Sequence, residues 1–109
     1  DREAEVDGEP YLPIRVAERK RFLQLAIAEI AGDFCVSPEE LQGGSRRRNV
    51  VAARAALAWI ATRLCGIPTI DVARATGVTP VSILRVEERG RTEMAERGLD
   101  PRSFVQKFR

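Results

Sequence analysis

The chain has 109 residues, 44% of them apolar and 6% aromatic, which suffices for one domain with a modest core but not for two. It has no histidine, so the usual zinc sites and every His-dependent catalytic arrangement are hard to build, and no apolar run approaches the roughly 20 residues of a membrane span. The net charge of +2 hides an asymmetry, because residues 1–44 carry five basic and ten acidic side chains while residues 45–91 carry nine arginines against Asp71, Glu87 and Glu88. Positive charge gathered in one stretch attracts a phosphate backbone, and the planar guanidinium fork suits phosphate and guanine better than lysine does. With no basic-then-apolar leader at its start, the chain is expected to be soluble and cytoplasmic, associated with the nucleoid.

Residues 1–13 are acidic, contain Gly8, Pro10 and Pro13, and show no period, which predicts a flexible or loosely docked arm ahead of a helical domain over 14–109. From about Ile14 to Ala31 the apolar residues Phe22, Leu23, Ala26, Ile27, Ile30 and Ala31 share one helical face, opposite Lys20, Arg21, Gln24 and Ala28. Gly32 and Asp33 end that helix. Ser37-Pro38-Glu39-Glu40 then predicts a short second one, with serine as cap, proline at the first position and acids in the first turn, tied down by Val36 and Leu41.

A glycine-hinged basic loop, Gln42 to Arg48, leads into the longest predicted helix, about Arg47 to Leu64, with a buried stripe of Val50, Ala53, Leu57, Ile60, Ala61 and Leu64. Arg47 and Arg54, seven apart, fall on a different and largely polar face. Trp59 reads as core or core edge, and Cys35 and Cys65, each beside apolar residues, read as two small buried thiols. Gly66-Ile67-Pro68 breaks the chain.

From Thr69 to about Arg89 the spacing is that of a helix-turn-helix. Ala73 stands where two helices cross closely, Gly77 supplies the positive φ that ends the first helix, and Val78 plugs the space beneath the turn. Thr79 caps the second helix, Pro80 suits its first position, and Ile83 and Val86 return to the core. Val81, Ser82 and Arg85 are left pointing outward, with Thr79 at the helix start, where a helix-turn-helix meets the DNA major groove. After Arg89-Gly90-Arg91 the helix is expected to end or kink, with Thr92 to Arg97 adding a turn or two. A last helix, about Asp100 to Arg109, offers Phe104, Val105 and Phe108 to the body or to a partner.

Between Ile30 and about Arg91, Val36 to Leu41, then Ser45-Arg46-Arg47-Arg48-Asn49-Val50-Val51-Ala52-Ala53-Arg54, an alanine-rich helix to Leu64 and the helix-turn-helix follow one another in an order that resembles the C-terminal DNA-binding domain of DnaA-type bacterial replication initiators. The resemblance covers a little over half of the chain and implies an all-α helical bundle, of the kind also found in the Trp repressor. It further implies Arg46 in the minor groove and Arg54 near the major groove and phosphates, and the basic loop adds Arg47 and Arg48 on phosphates. Where the initiators carry Arg-Asp-His-Thr-Thr this chain reads Thr79-Pro80-Val81-Ser82-Ile83, and Ala55 replaces the glutamine that follows the helix arginine, so the docking mode is expected without the origin-box specificity.

No G-x-x-x-x-G-K-[ST] is present, so an ATPase is not expected. Similar modules are attached to some REP-associated tyrosine transposases, whose nuclease needs paired histidines; any catalysis here would lie in a parent chain outside these residues. The expected partner is double-stranded DNA, with no cofactor, metal, membrane or small-molecule substrate. A second function class is a protein-interaction module whose acidic arm and Phe104/Phe108 tail bind a partner or a second copy.

Overall fold

Five of the eleven residues of α3 (Arg48–Ala58) are alanine, and side chains this small let other helices approach from every side. Val50 and every residue from Ala52 to Ala58 are accordingly buried, which makes α3 the axis of the domain. The computed structural model describes residues 11–108 and, before them, the backbone of two two-residue strands, β1 (Glu5–Val6) and β2 (Glu9–Pro10), paired antiparallel. The remaining architecture is all-helical: α1 (Arg19–Asp33), α2 (Pro38–Gln42), α3, α4 (Thr69–Thr76), α5 (Pro80–Glu96) and α6 (Pro101–Gln106). Among the described residues no helix is long and apolar enough to cross a membrane.

The helix predicted to run to Leu64 does so with a change of winding, since Trp59–Leu64 forms a wider π-helical segment. Its Thr62 hydroxyl bridges the Ala58 carbonyl and the Glu87 carboxylate, which ties this segment to α5. Trp59 is buried, as its sequence context suggests. The expected break near Gly90 is absent: α5 passes through it unbroken to Glu96. A Cβ at Gly90 would collide with the Ala55 carbonyl oxygen and lie 2.5 Å from the Trp59 Cβ, so the glycine is there to let α5 cross α3 backbone to backbone.

Ala73 is 2% exposed on the inner face of α4. Ala73→Leu should therefore cost about 2 kcal/mol by overpacking. A thermal or denaturant midpoint unchanged from the parent protein would show that α4 does not pack closely there.

Two further expectations are narrowed by the packing, and a third, the buried thiol at Cys35, is corrected. The predicted arm over 1–13 is pinned at its end, where Leu12 and Ile14 are buried and donate their N–H groups to the carbonyls of Leu64 (2.7 Å) and Cys65 (3.2 Å); residues 1–4 and 7–8 lie outside the described part. Cys65 is buried, but Cys35 adopts the left-handed conformation (φ 59°) that turns the chain after α1, and its thiol is exposed. The C-terminal aromatics serve the protein's own core: Phe108 meets Phe22 and Phe104 edge-on at centroid distances of 5.8 and 5.3 Å, and Lys107 pairs with Glu29 at 2.8 Å.

Candidate nucleic-acid interface

α4 ends because Gly77 takes φ 69° and donates its N–H to the Ala73 carbonyl, which the Val78 N–H also reaches at 3.2 Å. Thr76, buried, returns its hydroxyl to the Val72 carbonyl at 2.8 Å. The chain restarts as a helix three residues after Gly77, at Pro80. The Thr79 hydroxyl accepts the Ser82 N–H at 3.2 Å and Pro80 follows at the first helical position.

Ile83 is fully buried and Val86 half-buried, which turns the opposite face of α5 outward. On that face Val81 is 56% and Leu84 54% exposed, and Arg85 is exposed with no ion pair among the described residues. Ser82 is half-buried, and its hydroxyl lies 3.1 Å from that of Thr79, so both are engaged in the cap. Leu84 escaped the sequence reading, although the helical spacing that exposes Val81 also exposes a residue three further on.

The basic loop is built onto this turn. A Cβ at Gly77 would lie 2.5 Å from the Gln42 carbonyl oxygen, and one at Gly44 (φ 73°) would lie 2.9 Å from the Gly77 carbonyl oxygen. The two backbones therefore touch with no room for side chains, and the loop sits beside the turn that starts α5. Its far end is held by Arg54, whose Nη2 donates to the Ser45 carbonyl at 2.8 Å, while the Ser45 Oγ accepts the Arg47 N–H at 3.2 Å.

The arginines predicted to act together divide into three environments. Arg46 and Arg48 are exposed and hold no ion pair among the described residues. Arg47 is exposed but engaged: its Nε and Nη2 donate to the two carboxylate oxygens of Glu40 at 2.8 and 3.0 Å. That pairing holds the Glu40 carboxyl below its ordinary pKa and the Arg47 guanidinium above its own. Glu40 is also the third residue of a complete capping box with Ser37, so α2 is fastened to the start of α3.

Arg54 departs furthest from expectation. The sequence puts it on a polar face, yet it is 5% exposed, because α3 is covered on all sides from Ala52 onward. Burial pushes its pKa down from the ordinary guanidinium value, and its Nε is buried without a hydrogen-bond partner. An arginine remains charged even so. In this conformation Arg54 faces the loop's backbone and is not an open phosphate contact.

No protein-family model matches the chain, and no curated protein matches it significantly.

Proposed function

We propose that α4, the Gly77 turn and α5 form a helix-turn-helix and that the protein is a double-stranded DNA-binding module. α5 would enter the major groove, and the loop carrying Arg46 and Arg48 would lie at the minor groove and phosphates. The observation that carries this reading is the backbone contact between Gly44 and Gly77, which sets the loop's free arginines beside a helix whose outer face bears Val81, Leu84 and Arg85. Val81 and Leu84 suit thymine methyl groups and Arg85 suits guanine O6 and N7. Arg47 takes a smaller share than the sequence suggests, because a phosphate must first displace Glu40.

The resemblance to the replication initiators and to transposase-attached modules supports the docking mode, not a target sequence. We read the domain as a binder, with any chemistry supplied by other segments of a larger protein. The exposed Val81 and Leu84 also fit a second reading, an apolar contact with a partner protein or second copy. Salt separates the two, since counterion release makes phosphate binding fall steeply with ionic strength and an apolar contact does not.

Selection from a random duplex pool, followed by affinity measurement on the selected and scrambled duplexes across a salt series, tests the proposal. Arg46→Ala and Arg48→Ala should each lower the salt slope by about 1 on every duplex. Arg85→Ala should instead lower selectivity by about 1 kcal/mol or more, leaving scrambled duplex less affected. If Arg85→Ala changes neither quantity, α5 is not in the groove and the partner-binding reading moves ahead.

A further inference from the structure

Between α1 and α4 lies a groove of about 530 Å3, a volume within the usual range for ligand sites. Leu23 and Ile27 of α1 and Ala75 of α4 form its floor, and Val16, 73% exposed, stands at its lip. Arg19, Lys20 and Arg74 line its sides, and none of them has an ion pair among the described residues. The Nε of Arg19 is buried without a hydrogen-bond partner. Asp71 is the one acid on the wall, which leaves the groove two charges positive.

We infer that this groove docks an extended acidic segment of a partner protein, whose carboxylates meet Arg19, Lys20 and Arg74 on either side of one apolar side chain seated over Leu23, Ile27 and Ala75. Charge fixes the sign of the occupant. A guanidinium donates paired hydrogen bonds to a carboxylate, and Arg19 and Arg74 both line the groove with no ion pair of their own among the described residues. The floor chooses among polyanions: a phosphate backbone gains nothing by covering Val16 and Ala75, whereas an acidic peptide brings an apolar side chain that does. This site does not depend on the DNA-binding reading.

A random-peptide display library selected against the intact protein tests it, with the enriched peptides then measured on Lys20→Glu and Arg74→Glu, both exposed positions where charge reversal leaves the core untouched. Enriched sequences should carry Asp or Glu on both sides of a Leu, Ile or Phe, and should lose at least about tenfold in affinity on each variant, about 1.4 kcal/mol. Enrichment without that pattern, or peptides that bind both variants as tightly as the parent, overturns the inference. So does duplex DNA that displaces the peptides and itself weakens on both variants, since the groove would then belong to a phosphate footprint. A protein that binds no duplex still gives the peptide readout, so the two readings fail separately.

Discussion

Gly90→Ala should destabilise the protein by about 2 kcal/mol, even though alanine is the better helix former by roughly 1 kcal/mol. The sign is decided by what the new methyl meets. At Gly90 it meets the Ala55 carbonyl oxygen and the Trp59 Cβ, all on or beside buried backbone that cannot swing away, so α3 and α5 must move apart along their whole contact. Gly32, also within a helix, supplies the opposite case: a Cβ there meets nothing within 4 Å. Gly32→Ala should gain about 0.5 to 1 kcal/mol, as the propensity difference alone would give. For a domain of this size each kcal/mol moves the melting midpoint by about 4 to 8 °C, so calorimetry resolves both changes. A higher midpoint for Gly90→Ala would mean that the two helices cross less closely than this packing requires.

Features with local causes were legible in the sequence. The Gly77 stop, the Thr79 cap with Pro80 behind it, and the Ser37 cap with Pro38 and two acids behind it each depend on neighbours within four residues, and each is found where the residues place it. What escaped depends on distant contacts. Gly90 reads as a helix breaker until the carbonyl of Ala55 is known to lie against it. Arg54 reads as a surface residue because it falls off the stripe of Val50, Ala53 and Leu57, and nothing in the periodicity of α3 shows that the faces bearing Ala52, Ala55, Ala56 and Ala58 are covered too. Arg47 reads as a free cation because its partner, Glu40, lies on another helix. At the candidate interface the helix face was therefore legible and the division of labour among the arginines was not.

Arg54→Met follows from that division and separates a positioning arginine from a binding one. Replacing a buried charge whose Nε has no partner removes a desolvation cost as well as a hydrogen bond, so the stability of the variant should stay within about 1 kcal/mol of the parent. The loop should not be so indifferent. Without the Arg54 Nη2 the Ser45 carbonyl loses its charged donor, and amide exchange from Gly44 to Arg47 should rise. Binding to every duplex should then weaken by about 1 to 2 kcal/mol, below the full worth of a charged hydrogen bond, because only the ordering of the loop is lost. The salt slope should not change, since no phosphate contact has been removed, whereas Arg46→Ala should lower it by about 1. A slope that falls by about 1 in Arg54→Met, with loop exchange unaltered, would place the guanidinium on phosphate as the family resemblance implies. The burial at α3 would then be a feature of the free protein that DNA undoes, and the positioning role would be lost.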